Sequence, residues 1–209
     1  MKLSSFWPPR RSIDRAGAEI YRRRNLDQPW LTRQAIRLLP DVLKPSDHLL
    51  EWGAGGSTAW LGRRVGSIVS VEHDPHWHGR VQGQLEQAGL DREAVRLLSP
   101  APVDDPARSP YVRVIDEFGD GTLNVCIIDG EHRASCALAC LPKLSGGGLL
   151  VLDDGAAYLD HATASPHSRQ GRGPLDADWA RFGAAVSSWK LIWTSDGYSD
   201  TALWIKPGG

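Results

Sequence analysis

The sequence predicts an α/β fold: a seven-stranded, mostly parallel sheet with helices on both faces and one antiparallel strand near the carboxyl end. Three observations carry this. Val125-Cys126-Ile127-Ile128-Asp129 and Leu149-Leu150-Val151-Leu152-Asp153 are continuous apolar runs, as strands covered on both faces should be. Stretches of helical periodicity separate the short apolar runs, and strands alternating with helices build parallel sheets through right-handed crossovers. The end breaks the alternation. Leu191-Ile192-Trp193-Thr194 and Ala202-Leu203-Trp204-Ile205 flank a short segment containing Asp196-Gly197, which suits a hairpin.

In chain order, residues 1–44 read as an amino-terminal helical arm or lid and residues 45–209 as the main domain. Ser12 is expected to cap a first helix with Ile13, Ala16 and Ile20 on one face. Pro29 precedes a second, where Leu31, Ala35, Leu38 and Leu39 recur at helical spacing and Pro40 closes it. The first strand is His48–Trp52, running into a glycine cluster and a helix through Trp60–Arg64. Ser67–Glu72 is the second strand, Pro75–Ala88 a polar helix, and Val95–Leu98 a weaker third strand. A helix with Ala134, Leu138 and Leu141 joins the two clearest strands. Ser99–Ser109 and Gly155–Pro174 are rich in Pro, Gly, Ser or Asp and read as long loops, which in a compact domain often serve as lids or binding loops.

A chain of 209 residues supports one globular domain. No apolar run is long enough to span a bilayer, and the first residues lack the apolar stretch of a signal peptide. Three cysteines do not suggest a disulfide framework, so a reducing cytoplasm is expected. The net charge of −1 does not point to nucleic acid, yet the charge is unevenly spread. Residues 1–40 hold nine Lys/Arg against three Asp/Glu. Such an arm either docks on an acidic body or presents Arg22-Arg23-Arg24 to an anionic substrate or partner.

Gly53, Gly55 and Gly56 follow the first strand and open a helix, where glycine lets a ligand approach the backbone and the helix end offers free N–H groups. Glu72 lies 19 residues after Gly53. A carboxylate about 20 residues beyond such a loop accepts ribose hydroxyl protons. Together they describe a nucleoside site. A dinucleotide loop would need a third glycine where Thr58 stands, which counts against a nicotinamide-linked oxidoreductase. Glu51, just before the glycines, suits a cationic ligand such as an amino group or sulfonium.

These residues resemble the class I S-adenosylmethionine-dependent methyltransferases, with their Rossmann-like sheet. The matching stretches are Glu51-Trp52-Gly53-Ala54-Gly55-Gly56-Ser57-Thr58, Val71-Glu72-His73-Asp74, Ile127-Ile128-Asp129-Gly130 and the closing Asp200-Thr201-Ala202-Leu203-Trp204, together covering residues 45–206. The resemblance implies that the loop, with Ala54, Ser57 and Thr58, wraps the methionine part of the cofactor. It implies that Glu72, with His73 beside it, holds the ribose and that residues near Ser99 flank the adenine; the strand-end position of Asp129, Asp153 and Asp154 puts all three near the reactive methyl.

Asp129, Asp153 and Asp154 end adjacent core strands, where ligands of open α/β sheets bind. Three close carboxylates repel unless a cation or a shifted pKa relieves them, and Mg²⁺ is the natural oxygen-bound candidate. Ile128-Asp129-Gly130-Glu131-His132 with the later Asp153-Asp154 resembles small-molecule O-methyltransferases that include the macrocin type. That resemblance implies Asp129, Asp153 and Asp154 as Mg²⁺ ligands holding a substrate diol, and Glu131 or His132 as the base. The chain departs from that group in its length, in its amino-terminal part and in Arg133, which could hold an acceptor anion or pair with a strand-end acid. His132 is the first choice of base, since a neutral imidazole accepts a proton near pH 7. The alternative for Asp129 and Asp153-Asp154 is a metal-free role.

Cys136 and Cys140 share a helix face, lack a second pair to complete a zinc site, and read as core. Trp179, Trp189, Trp193 and Trp204 are expected to pack the carboxyl-terminal half, while Trp30 and Tyr158 lie in or beside a lid. The expected activity is methyl transfer to oxygen or nitrogen of a small molecule, with neither membrane nor nucleic acid as partner and a homodimer left open. The alternatives are a cofactor-binding regulator without catalysis and a methyltransferase of RNA or protein that uses the basic arm.

Overall fold

The computed structural model describes residues 13, 16–18, 20, 21, 24, 25, 28–90, 95–99, 105, 106 and 108–208. Seven strands form one sheet: β1 (His48–Trp52), β2 (Ser67–Val71), β3 (Val95–Leu98), β4 (Leu123–Ile128), β5 (Leu144–Asp153), β6 (Lys190–Ser195) and β7 (Asp200–Ile205). Their order is β3-β2-β1-β4-β5-β7-β6. β7 alone runs antiparallel to its neighbours, as the hairpin signal predicts. The chain winds outward from β1 to β3 and then returns to place β4 on β1's other side. That reversal opens a crevice at the carboxyl ends of β1 and β4, the place where such sheets bind ligands.

Two-residue alternation divides the core. Leu50, Trp52, Cys126, Ile128, Leu150 and Leu152 face one layer, with Cys136, Ala137 and Cys140 of the helix Arg133–Cys140 and Phe182 of the helix Ala177–Ala185. Leu49, Val125, Ile127, Leu149 and Val151 face the other, with Ala35, Ile36 and Leu39 of the helix Arg33–Val42 and Leu61 of the helix Gly56–Gly62. Cys126, Cys136 and Cys140 are buried free thiols. Trp179 and Trp204 are buried, with Trp189 and Trp193 packed against them, so the expected aromatic core of the carboxyl-terminal half is present.

Several boundaries differ from the sequence reading. The helix Arg33–Val42 is capped by Thr32 and continues through Pro40 instead of closing there. Pro40 forgoes one backbone hydrogen bond, and the Leu43 N–H to Leu39 carbonyl bond (2.9 Å) closes the last turn. Its buried face uses Ile36, while Leu38 is exposed. In the first arm Ala18 is buried, and Ile13 and Ile20 point outward, so the expected apolar face is turned. Ser12, Arg22 and Arg23 lie outside the described residues. β5 begins five residues earlier than its apolar run, with Leu144 pairing Leu123 before a register shift. No helix among the described residues is long and apolar enough to cross a membrane.

Candidate functional site

The glycine loop is held from below and from the side. Gly53 and Ala54 donate their N–H groups to the Val71 carbonyl (2.9 and 3.1 Å), tying the loop to β2. Gly53 has φ +93°, and a Cβ there would lie 2.7 Å from the Asp129 carbonyl carbon and oxygen. A Cβ on Gly130 would lie 2.9 Å from the Gly53 nitrogen and collide with the Tyr111 hydroxyl. The loops after β1 and β4 therefore touch backbone to backbone, an approach only glycines permit.

Thr58 explains why a third glycine is absent. Its hydroxyl accepts from the Gly55 N–H (3.0 Å) and donates to Glu51 Oε2 (2.7 Å). Ser70 donates to the same oxygen (2.6 Å), and Ser57 donates to Oε1. Glu51 is 1% exposed and is absent from the cavity wall. Burial raises its carboxyl pKa to about 7, outweighing the three hydroxyl bonds that pull it down. The sequence reading placed Glu51 against a cationic ligand; it braces the loop from beneath.

Above the loop lies a cavity of about 400 Å³. Gly53, Ala54, Gly55 and Ser57 form one wall, with Glu72 and His73 beside them. Glu72 is 6% exposed, accepts from the Asp74 N–H (2.8 Å) and lies 3.3 Å from His73 Nδ1. Asp129, Gly130, Glu131, Arg133, Asp153 and Asp154 form the opposite wall. Of the sequence-predicted residues, Thr58 sits under the loop with Glu51, and Ser99 is exposed away from the wall.

Tyr111 also lines the cavity. It is 1% exposed, packs edge-on against His73 (5.8 Å between ring centres), and its carbonyl accepts from Trp52 Nε1 (2.9 Å). Burial pushes its phenol pKa well above the usual range, so the ring stays neutral. The only sequence signal for it was the Ser109-Pro110 helix start closing a long loop. Trp77 was also missed. Asp74 caps its helix, Pro75–Gln87, and Trp77 Nε1 donates to the Ala54 carbonyl (2.7 Å). Trp30, 49% exposed, meets Trp77 at 6.2 Å and lines the same cavity.

The strand-end acids are organised by Arg133. Its Nη2 donates to Asp129 Oδ1 (2.9 Å) and to the Asp129 carbonyl (3.1 Å), its Nη1 to the Asp153 carbonyl (2.7 Å), and its Nε to the Gly130 carbonyl (3.0 Å). Burial would weaken its hold on the proton, but Asp129, Tyr158, Asp153 and Asp154 more than reverse this and strengthen it. Asp153 accepts from the Thr201 hydroxyl (3.4 Å). Among the described residues no group of three or more His, Cys, Asp or Glu side chains is placed to hold a metal ion. The expected ligand set of Asp129, Asp153 and Asp154 thus does not fit Mg²⁺, because a guanidinium already relieves the repulsion that called for it.

His132 and Asp154 have left-handed backbones (φ 49° and 53°), each opening the short helix that follows its strand. Non-glycine residues held there carry strain that tends to gather at functional sites. Glu131 and Asp129 reach the cavity wall; His132 instead packs edge-on against Tyr111, 6.4 Å between ring centres.

A doubly wound sheet with a glycine loop, a strand-end carboxylate and acids across the switch point defines a nucleoside-binding enzyme fold. Residues 50–155, just over half of the chain, match the family model described as a methyltransferase domain. The chain belongs to that family and is an S-adenosylmethionine-dependent methyltransferase. No curated protein sequence matches it. Among solved structures it is similar to a Corynebacterium glutamicum protein (14% identity, 99% of this chain and 93% of that one, TM-score 0.60). It is also similar to an rRNA methylase from Streptococcus thermophilus (11%, 83% and 95%, TM-score 0.56). A third is a Streptococcus mutans protein in complex with SAH (12%, 81% and 94%, TM-score 0.52). At these identities the likenesses describe the fold.

Proposed function

We propose that the protein methylates an oxygen or nitrogen of a small molecule. The observation that carries this is the charge of the acceptor wall. Asp129, Glu131, Asp153 and Asp154 line it, and Arg133, the one arginine among the described lining residues, is engaged by Asp129 and by main-chain carbonyls. A phosphate backbone would meet net repulsion there, whereas a neutral hydroxyl or an amine would not.

When bound, S-adenosylmethionine supplies a methyl group on a sulfonium, already activated for displacement. The chain's own task is alignment, exclusion of water and removal of one proton. The loop Gly53–Ser57 seats the methionine end, and Glu72 accepts the ribose hydroxyls. Glu131 takes the proton that the acceptor releases. Trp30, on the cavity wall, borders the space left for the acceptor. The three free thiols favour a reducing, cytoplasmic setting.

Calorimetry with S-adenosylhomocysteine, followed by methyl transfer assays on small hydroxyl and amino compounds, RNA and protein, tests this reading. Micromolar product binding and turnover on small acceptors are expected. Turnover confined to RNA or protein would reject the small-molecule assignment.

A further inference from the structure

We propose that Arg133 is the resident cation of the acceptor site, standing where a divalent metal would otherwise serve the strand-end acids. This rests on the methyl-transfer reading above and adds a property of the same site: the acceptor presents a single hydroxyl or amino nucleophile, with no need of a second oxygen for chelation.

The atoms that Arg133 engages are the argument. Two main-chain carbonyls at the end of β4 and its turn (Asp129 and Gly130), the Asp153 carbonyl at the end of β5, and Asp129 Oδ1 all lie within 3.1 Å of its nitrogens. Carbonyl and carboxylate oxygens are the donors a hard cation seeks. Here four N–H···O bonds from one planar guanidinium take them. Arg133 opens the helix Arg133–Cys140, directly after the β4 turn, so its side chain spans the gap between the two strand ends. The side chain is only 18% exposed, and its Cζ lies 5.7 Å from the Tyr158 ring centre, which backs the guanidinium. A second positive ion at this point would meet the fixed charge and would have to compete with it for Asp129 and the strand-end carbonyls. Arg133 acts through Asp129, which it orients on the cavity wall, and is therefore a positioning residue.

The test compares the wild-type protein with Arg133→Met and Arg133→Lys, using Mg²⁺ alone as the probe. For the wild type, calorimetry should give no Mg²⁺ binding, and methyl transfer should survive exhaustive chelation. Arg133→Met should lose on the order of tenfold to a hundredfold in turnover. It should also acquire Mg²⁺ binding, read as heat and as a rise in melting temperature on adding Mg²⁺. Arg133→Lys, which keeps the charge, should not acquire it, and this variant carries the comparison if Arg133→Met fails to fold. Mg²⁺ binding by the wild type, loss of its turnover on chelation, Mg²⁺ binding by Arg133→Lys, or an Arg133→Met protein with full turnover and no Mg²⁺ response would each overturn the proposal. The Mg²⁺ readouts need no acceptor, and S-adenosylhomocysteine binding is measured separately, so failure of the function reading is distinguishable from failure of this one.

Discussion

Thr58 Oγ1 and Glu51 Oε2 lie 2.7 Å apart beneath the glycine loop, and that bond turns the first acid of the motif into a support for the backbone. The burial it requires has a thermodynamic consequence. Glu51 ionises at about 7 in the folded chain against 4.5 when unperturbed. Between those values the folded protein keeps a proton that the unfolded chain has released. The stability contribution is therefore full below the unfolded pKa and is lost as pH rises through about 7. Urea denaturation of wild type and Glu51→Gln at about pH 5 and about pH 8 should show the wild type losing roughly 2–3 kcal/mol relative to the variant. A difference between the two proteins that does not change with pH would contradict this.

The two loop glycines should respond differently to alanine. At Gly53 the new Cβ would sit 2.7 Å from the Asp129 backbone at φ +93°. Gly53→Ala should cost on the order of 1–3 kcal/mol and sharply weaken S-adenosylhomocysteine binding. At Gly55 the nearest neighbour is Trp77 Nε1 at 3.7 Å, and the backbone is extended. Gly55→Ala should leave the melting temperature almost unchanged, so any loss of affinity in calorimetry reports the ligand's own approach. Equal melting temperatures for the two variants would refute the backbone contact between the loops.

Glu131 and His132 are the two candidate bases, and the proposed function assigns the proton to Glu131. Glu131 is on the cavity wall, and His132 turns its ring to Tyr111. Glu131→Gln should lower turnover about a hundredfold with S-adenosylhomocysteine affinity intact. His132→Ala should keep most of its turnover and lower the melting temperature through the lost contact with Tyr111. Loss of turnover in His132→Ala with an unchanged melting temperature would return the base to the histidine.

The strands, the antiparallel close and the glycine loop were legible because they follow from local rules: apolar runs of strand length, a turn of hairpin length, and glycine where backbone must approach backbone. Glu72 was legible by its distance from the loop. The direction of Glu51 was also written in the sequence, though less openly. In β1, Leu50 and Trp52 face one layer, so Leu49 and Glu51 face the other, the side that the helix Gly56–Gly62 covers. What local pattern does not contain is reach across the fold. Tyr111 reaches the cavity from the short helix Pro110–Arg113, and Arg133 finds the Asp153 carbonyl 20 residues away on the neighbouring strand. By itself the sequence determined the strands, their mostly parallel run with one antiparallel strand, and the glycine loop, since each depends on neighbours along the chain. Only the tertiary structure decided which acids face the cavity and which cation answers them. Those contacts are set by the register of β4 against β5 and by the length of one arginine side chain.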